Sequence, residues 1–394
     1  MRAFISYLLD ISAVALVVPV ATFLLEIIAA ITVRSREPLH EPNTVGCVAV
    51  LVPAHNESAG MLATLADIKS QLRTPDRVIV VADNCTDDTA AVASGAGTEV
   101  VERHDPDRIG KGYALDFGLA HLTENPPDVV LVIDADCRLS EGAIDRLASA
   151  CALTQRPVQA LYLMAAPYRS PVNHQVAEFA WRVKNWLRPL GLSGLGLPCQ
   201  LVGTGMAFPW DIIRSADLAN GLIVEDLKLG LDLALAGRAP VFCPSARVTS
   251  QFAPSAAGAK AQRQRWEHGH IAMILEAPRL LLAGIARRNW GLVALALDVA
   301  VPPLSLLTVL VTGMLLLAGV AALCGLSSIA LKFSLLSFLG LALAVVLSWL
   351  VHGRDVLPPG AVFSIGAYVA RKLSLYCRIL SGRAAQRWVR TDRK

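Results

Sequence analysis

Three long apolar segments most constrain how this chain can fold. Ile11–Val33 contains one charged residue, Glu26, Leu292–Leu323 contains only Asp298, and Phe333–Val351 contains none. Each has about the 20 residues that a helix needs to cross the ~30 Å hydrocarbon core of a bilayer. The first is too long for the apolar core of a signal peptide, and no clear small-residue cleavage site follows it. The sequence therefore predicts three transmembrane helices.

The positions of the basic residues predict an orientation. Arg34 and Arg36 follow the first apolar segment, Arg287 and Arg288 precede the second, and lysines and arginines outnumber acidic residues in 354–394. By the positive-inside rule, the long middle region and the C-terminus are cytoplasmic. We expect a multi-pass protein of a bacterial inner membrane, whose basic C-terminal segment lies against anionic lipids. Nucleic-acid binding is the competing interpretation of that segment, and the neighbouring spans make it the weaker one.

The middle region alternates between short β-branched runs and helical stretches. Such alternation, with strands that are apolar throughout, is typical of a buried, mostly parallel sheet and an α/β fold. The strands are predicted at Val45–Val52, Val78–Ala82 and Val129–Ile133, and the helices between them at Glu57–Leu72, Thr86–Ser94 and Gly112–Leu122. Ligands of such sheets bind beyond the carboxyl ends of the strands.

Further along the chain the pattern changes. We predict a loop at Gly191–Pro198, and an amphipathic helix over Ile271–Trp290 that lies in the membrane interface. The predicted organisation is therefore a first span over 1–36, a catalytic domain over 45–270, an interfacial helix over 271–290, two spans over 291–353 and a basic segment over 354–394. The eight cysteines form no CxxC pair and are interpreted as reduced packing residues.

Two carboxylates follow the third predicted strand, in the sequence Asp134-Ala135-Asp136. Two adjacent carboxylates repel each other unless a cation neutralises them, and Mg²⁺ prefers oxygen ligands and bridges phosphates. The alternative is a solvated loop, because this spacing often occurs by chance. Asp83 ends the preceding strand, where it can accept a hydrogen bond from a base or ribose, or simply cap a turn.

Two further groups of residues suggest chemistry on a membrane-associated substrate. Glu225-Asp226 opens a predicted helix, where a carboxylate can cap the helix or act as a general base. Gln262, Arg265 and Trp266 share one face of another predicted helix. The arginine can bind phosphate oxygens, the glutamine can donate a hydrogen bond, and the tryptophan offers a flat wall for a sugar ring. The alternative for this helix is an amphipathic face that contacts lipid headgroups.

Other motifs are missing or weak. Gly110-Lys111-Gly112 lacks the rest of a P-loop, and no strand–GxGxxG–helix unit is present, so no motif supports ATP hydrolysis or dinucleotide chemistry. His268 and His270 are interpreted as structural residues rather than metal ligands.

Taken together, these motifs resemble the family-2 membrane glycosyltransferases, which include cellulose, chitin and hyaluronan synthases and related exopolysaccharide enzymes. The resemblance covers residues 45–270 and the flanking spans. It rests on five motifs in the same order: Pro53-Ala54-His55-Asn56-Glu57, Asp83, Asp134-x-Asp136, Glu225-Asp226 and Gln262-x-x-Arg265-Trp266.

The resemblance implies a GT-A fold, inverting transfer and a divalent cation, Mg²⁺ or Mn²⁺. It also implies roles for individual residues. Asp226 would be the catalytic base and Asp136 the metal ligand, and Gly203-Thr204-Gly205, Glu225 and Trp266 would line the acceptor site. The residues that it assigns to the nucleotide sugar are Pro53, His55, Asn56, Glu57, Asp83, Lys111, Asp134, Gln262, Arg265 and Trp266.

Two departures from the family pattern bear on the substrates. Asn84-Cys85-Thr86 follows Asp83 where Asp-Gly-Ser is more usual, and Val224 replaces a common threonine before Glu225-Asp226. We therefore expect an enzyme that moves a sugar from a nucleotide diphosphate, UDP in our interpretation, to a growing polysaccharide or a lipid-linked glycan. Other polysaccharide-assembly subunits are candidate partners. The alternatives are a membrane nucleotidyl- or phosphotransferase and a non-catalytic scaffold of a polysaccharide complex.

Overall fold

A computed structural model describes residues 1–33, 45–167, 172–219, 224–253 and 256–361. Arg34, Arg36 and most of the basic segment 354–394 lie outside these residues. The chain divides into two compact units. Among the described residues, the helical unit comprises 1–33, 166–167, 172–195 and 256–361, and the sheet unit comprises 45–165, 196–219 and 224–253.

The sheet unit is built on one mixed sheet in which the described residues form eight strands. The strand order is β3-β2-β1-β4-β7-β6-β8-β5. The strands β1–β4 are mutually parallel, and β7 pairs antiparallel with both β4 and β6. The bounds are β1 Val48–Ala54, β2 Arg77–Asp83, β3 Glu99–Arg103, β4 Val129–Val132, β5 Arg138–Leu139, β6 Val158–Ala165, β7 Met206–Pro209 and β8 Val241–Gln251.

The parallel strands form because they are apolar on both faces. Val50, Leu51 and Val52 of β1 are fully buried, and β2 and β4 flank that strand. A strand that is buried on both faces cannot show alternating polarity, so its apolar run is continuous. The α/β fold class and the mostly parallel sheet predicted from the sequence are confirmed.

Helices pack on both sides of this sheet and carry residues of the site at their ends. Gly112, in the first turn of α4, meets the backbone at close range: a Cβ built there would lie 2.2 Å from the carbonyl oxygen of Leu218. The cysteines of this unit are free, and four of them are buried, as expected of packing residues. The helices are α2 Leu62–Lys69, α3 Thr89–Gly95, α4 Lys111–Leu122, α5 Ala143–Thr154, α8 Trp210–Ile213 and α9 Glu225–Leu235.

The helical unit consists of long helices with apolar surfaces. Within the part of the chain that the structure describes, four helical segments are long and apolar enough to cross a membrane, namely Arg2–Thr32, Gln264–Ala286, Leu304–Leu323 and Ser328–His352. A π-helical turn, Val183–Leu187, joins α6 to α7. The helices are α1 Arg2–Thr32, α6 Val172–Arg182, α7 Arg188–Gly194, α10 Ala256–Ala286, α11 Trp290–Val299, α12 Leu304–Leu323 and α13 Ser328–His352.

The prediction of one continuous span over Leu292–Leu323 is wrong. The chain forms α11, leaves the helix at Ala300–Pro303 and starts again as α12. Pro302 and Pro303 explain the break, because proline has no N–H to donate and disfavours helical geometry in the residue before it. The loop predicted at Gly191–Pro198 is also wrong in its first half, since α7 continues to Gly194.

The segment predicted as an interfacial helix over Ile271–Trp290 is not a separate element. Its residues up to Ala286 belong to α10, which runs from Ala256 to Ala286 and includes Gln262, Arg265 and Trp266, and Trp290 begins α11. Part of α10 satisfies the length and composition of a span. Its placement in the membrane interface stays a prediction.

The two charged residues of the apolar segments, Glu26 and Asp298, both pair with Arg188. Nε of Arg188 in α7 donates to Glu26 of α1 at 2.6 Å, and Nη2 of Arg188 donates to the carboxylate of Asp298 in α11. All three side chains are at least 95% buried. Pairing is required here, because an isolated charge removed from water is costly. The ion pairs therefore join three helices of the unit.

Candidate active site

The two carboxylates of the Asp134-x-Asp136 motif lie just beyond the carboxyl end of β4. Oxygens of Asp134 and Asp136 and the sulfur of Cys137 lie within 4.8 Å of one another. Cys137 is buried, and burial, followed by the charge of Asp136, raises the pKa of its thiol well above the usual value. A thiol in this state is a poor metal ligand, so the hard carboxylate oxygens are the groups that can hold a divalent cation.

Lys111, the first residue of α4, connects the motif to two other segments. Its Nζ binds Oδ1 of Asp134 and donates to the carbonyl oxygen of Gly203 at 2.6 Å. Burial lowers the pKa of Lys111, but the charges of Asp134 and Glu225 outweigh it, so the pKa is raised above 10.5. The side chain is therefore a cation at neutral pH.

Glu225 and Asp226 begin α9, where the helix dipole favours a negative charge. Burial and the neighbouring charge of Asp226 raise the pKa of Glu225 to about 8. Burial therefore disfavours the ionised form of the Glu225 carboxyl. The role of Asp226 as the catalytic base stays a prediction.

The loop Gly203-Thr204-Gly205 passes directly beside Asp226. Gly203 has φ +92°, and a Cβ built on it would lie 3.2 Å from Oδ2 of Asp226. Thr204 is fully buried, and its hydroxyl accepts a hydrogen bond from the backbone N–H of Asp134 at 3.0 Å. The loop thus lies against both the Asp134-x-Asp136 motif and Asp226, the predicted base.

Gln159 holds this loop through hydrogen bonds, and the sequence analysis did not identify this residue. Its Nε2 donates to the carbonyl of Thr204 at 2.9 Å, and its Oε1 accepts from the backbone N–H of Val202 at 3.0 Å. It is the first polar residue of β6, in an otherwise apolar strand, and it is 2% exposed. A buried polar residue inside an apolar strand is the signal that could have revealed it.

The residues after β1 and β2 form a second group. Nδ1 of His55 donates to the carbonyl of Asp83 at 2.7 Å, and Oδ1 of Asn56 accepts from the backbone N–H of Thr86 at 2.7 Å. The backbone N–H of Glu57 donates to Thr89 at 2.9 Å. Pro53 lies inside β1, where its register partner is Val81 of β2. Within the described residues it does not link the two loops. The two loops are therefore bound to each other at the carboxyl edge of the sheet.

Asp83 ends β2 and is already bound to another residue. Nη1 of Arg103 donates to Oδ1 of Asp83 at 2.6 Å. Burial raises the pKa of Asp83, and the Arg103 guanidinium opposes that shift. Arg103, at the end of β3, is a second residue that the sequence reasoning missed, because its partner lies 20 residues earlier.

The motif Gln262-x-x-Arg265-Trp266 lies on α10 of the helical unit, as the helical spacing predicted. The ring of Trp266 is 4.9 Å from that of Trp181 between centroids. Gln262 is 2% exposed, and its Oε1 has no hydrogen-bond partner within the described residues. The predicted contacts of these residues with a diphosphate and a sugar stay predictions. Nε2 of His270 donates to the carbonyl of Val299 at 3.1 Å, which is a structural contact.

This chain is similar to several solved structures and curated sequences. The mannosyltransferase PcManGT of Pyrobaculum calidifontis, solved in complex with GDP-Man and Mn²⁺, matches 95% of this chain and 99% of its own, with a TM-score of 0.54 and 16% identity. Glucosyl-3-phosphoglycerate synthase of Mycobacterium tuberculosis matches 51% of this chain and 69% of its own, with a TM-score of 0.34 and 25% identity. Uncharacterized glycosyltransferases of Mycobacterium bovis and Mycobacterium tuberculosis are 29% identical over 190 residues, which cover 42% of this chain and 82% of theirs.

The fold and the sequence together define the class. A mostly parallel sheet with GT-A-like neighbours, and carboxylates at the carboxyl edge of its strands, form a nucleotide-sugar transferase fold. The family model described as glycosyltransferase like family 2 matches residues 42–269, which is more than half of the chain. The chain belongs to this family, and it is a glycosyltransferase.

Proposed function

We propose that this chain is an inverting hexosyltransferase of the bacterial inner membrane, with its catalytic domain in the cytoplasm. It moves a sugar from a nucleotide diphosphate, UDP in our proposal, to a membrane-associated acceptor. The acceptor is a growing polysaccharide or a lipid-linked glycan. The family supports the transfer of a sugar, and the apolar helices found among the described residues support an acceptor at a membrane.

The observation that carries this proposal is the position of Lys111. It lies against Asp134 and Gly203, and the charges of Glu225 and Asp226 act on it. Three segments that are far apart in the sequence thus meet around one cation. Acidic residues beside a half-buried lysine suit a substrate that carries both phosphates and a hydroxyl to be deprotonated.

A divalent cation fits the donor set at Asp134 and Asp136. Carboxylate oxygens are the ligands that Mg²⁺ and Mn²⁺ prefer, and the protonated Cys137 thiol leaves those oxygens as the available ligands. Asp136 would hold the ion, and the ion would neutralise charge on the diphosphate leaving group. Mn²⁺ is present in the mannosyltransferase structure that shares this fold.

Asp226 and Lys111 have different roles in the transfer reaction. Asp226 takes the proton of the acceptor hydroxyl, and the hydroxyl oxygen attacks the anomeric carbon as the bond from that carbon to the diphosphate oxygen breaks. Attack from the face opposite the leaving group inverts the configuration. Lys111 stabilises the negative charge that develops on the diphosphate, in a site where burial strengthens electrostatic interactions.

The remaining predicted residues complete the substrate sites. Asn56, Glu57, His55, Pro53 and Asp83 surround the nucleoside in this proposal. The Gly203-Thr204-Gly205 loop and Glu225 adjoin the acceptor. Gln262, Arg265 and Trp266 bind the diphosphate and the acceptor sugar.

The experiment is a transfer assay with the purified full-length chain. The protein is incubated with UDP-, GDP- and dTDP-sugars and an extracted lipid fraction, with Mg²⁺ or Mn²⁺, and release of nucleoside diphosphate is measured. Asp226→Asn should abolish transfer while nucleotide binding survives. Asp232→Asn, on an exposed side chain of the same helix, is the matched control and should transfer normally.

The same assay separates the alternatives. Phosphate or nucleotide on the product, with no loss of activity in Trp266→Ala, would indicate a nucleotidyl- or phosphotransferase. Full product formation with Asp136→Ala would indicate a scaffold. Normal turnover in Asp226→Asn would remove Asp226 from the role of base.

A further inference from the structure

The four residues 134–137 form a turn, the metal-binding turn, that carries both candidate ligands of the divalent cation. The backbone N–H of Cys137 donates to the carbonyl of Asp134 at 3.1 Å, which closes the turn. Carboxylate oxygens of Asp134 and Asp136 lie within 4.8 Å of each other, and two like charges at this distance repel each other in the absence of a cation. Contacts to the backbone of the turn are therefore needed to keep the two carboxylates together.

Thr204 holds both ends of the metal-binding turn. Its hydroxyl accepts from the backbone N–H of Asp134 at 3.0 Å and donates to Sγ of Cys137 at 3.5 Å. The thiol of Cys137 donates in turn to Oδ1 of Asp136 at 4.0 Å. One fully buried hydroxyl is thus connected to both candidate ligands, to the first through the backbone and to the second through a thiol.

Thr64 of α2 holds the middle of the same turn. Its hydroxyl donates to the carbonyl of Ala135 at 2.7 Å, and the residue is 1% exposed. In these contacts neither Thr64 nor Thr204 binds a carboxylate oxygen of the turn. The two threonines therefore fix the turn without competing with an ion for its ligands.

Thr204 is itself held in place by β6. Nε2 of Gln159 donates to the carbonyl of Thr204 at 2.9 Å, and the backbone N–H of Ala160 donates to the carbonyl of Gly205 at 2.7 Å. A Cβ built on Gly205, which has φ +66°, would lie 2.8 Å from Cβ of Ala160, so the loop packs directly on the strand. The hydroxyl of Thr204 consequently has a fixed position from which it can orient the turn.

We propose that Thr64 and Thr204 are positioning residues for the divalent cation, which act through the backbone of the metal-binding turn. This inference rests on the proposed function and deepens the description of its metal site. Mg²⁺ requires nearly ideal octahedral geometry with ligand distances of about 2.0–2.1 Å, so a small displacement of either carboxylate weakens binding. Groups that orient metal ligands without touching the ion have large effects on metal affinity for this reason.

The test measures binding of Mn²⁺ to the purified full-length protein. Free Mn²⁺ is followed by its electron paramagnetic resonance signal, in the presence of UDP or GDP, whichever the wild type binds more tightly. Thr64→Val and Thr204→Val each replace the hydroxyl by a methyl group of similar shape. Each should weaken Mn²⁺ binding by roughly fivefold to tenfold, the effect of about one lost hydrogen bond, and should leave the affinity for the nucleotide without metal unchanged.

Three further variants serve as controls. Thr64→Ser and Thr204→Ser keep the hydroxyl and should bind Mn²⁺ nearly as tightly as the wild type. Thr98→Val removes a hydroxyl that donates to the carbonyl of Ala93 at 2.8 Å, just before β3, and should leave Mn²⁺ binding unchanged. Melting temperatures identify any variant that is not folded, and if one valine variant does not fold, the other decides the test.

The outcomes are distinguishable. If the wild type bound no Mn²⁺ with either nucleotide, the proposed metal site would fail, and this inference with it. If Asp136→Ala lost Mn²⁺ binding but a folded valine variant bound the ion as tightly as the wild type, only the positioning role would be overturned. Equally weak binding in the valine and serine variants would also overturn it, because the hydroxyl would then not be the group that acts.

Discussion

Replacing Lys111 with methionine tests the centre of the candidate site. Methionine has a similar length and no charge, so the substitution removes the cation and leaves the packing of α4 nearly intact. Asp134 then loses its ion pair, the carbonyl of Gly203 loses a donor, and the acidic residues at the start of α9 lose a compensating charge.

The expected loss of folding free energy follows from how far the Lys111–Asp134 ion pair is buried. Removing one partner of a fully buried ion pair costs about 3–5 kcal/mol, whereas an exposed pair contributes about 0–1 kcal/mol. The side chains of Lys111 and Asp134 are 20% and 33% exposed, so we expect an intermediate loss of about 2 kcal/mol. In a unit of this size, that lowers the melting temperature by about 4–8 °C.

The loss of stability in Lys111→Met should have its full size at neutral pH. A lysine whose pKa is raised on folding stabilises the fold fully below its unfolded pKa, near 10.5, and this contribution is lost as the pH rises through the higher folded pKa. Differential scanning calorimetry at neutral pH measures the loss, and titration with UDP and Mn²⁺ measures the accompanying loss of donor affinity. Turnover should fall by about 100-fold, because the charge acts on the leaving group.

Lys228→Met is the control, because Lys228 pairs with Asp232 on an exposed surface of the same unit. It should change the melting temperature by no more than about 2–4 °C. A Lys111→Met protein that melts like the wild type and binds UDP equally well would refute the inference that Lys111 holds the site together.

Three other substitutions test separate features. Gly112→Ala places a Cβ 2.2 Å from the carbonyl of Leu218, so this overpacking should cost about 1–3 kcal/mol in thermal unfolding. Glu225→Gln should be more stable than the wild type, by an amount that grows between about pH 4.5 and 8 and then levels off. The reason is that the wild-type fold resists ionisation of Glu225, whereas the unfolded chain does not. Melting temperatures across this pH range measure the difference. Arg188→Met leaves two buried carboxylates without their cation and should destabilise the helical unit by about 3–5 kcal/mol, measured as thermal unfolding in detergent.

Two of these substitutions have a matched control variant, and the third is checked by its pH dependence. Gly95→Ala meets no atom within 4 Å and should not destabilise, so equal effects at Gly95 and Gly112 would contradict the packing explanation. A constant difference between Glu225→Gln and the wild type at all pH values would show that the carboxyl does not titrate as described. Arg279→Met removes a cation that is 85% exposed, and a loss as large as that of Arg188→Met would rule out burial as the cause.

The site was partly predictable because some of its signals are local. Asp83 and Asp134 follow continuous apolar strands, and parallel strands end at a common edge, so the order of apolar runs and carboxylates was enough to place them together. The resemblance added Lys111 and Asp226. The helix break before α12 also had a local signal, Pro302-Pro303, but the apolar composition of the segment concealed it.

The amino-acid sequence by itself determined the α/β alternation, the apolar helices and the edge of the sheet where the carboxylates lie, because hydrophobic periodicity and chain direction are properties of neighbouring residues. Only the tertiary structure decided which side chains and carbonyls these charged residues contact. Lys111 meets a carbonyl 92 residues away, Arg103 takes one oxygen of Asp83, and Arg188 joins carboxylates from two other helices. An ion pair forms where packing brings two side chains within about 3–4 Å, and no periodicity along the chain encodes that distance.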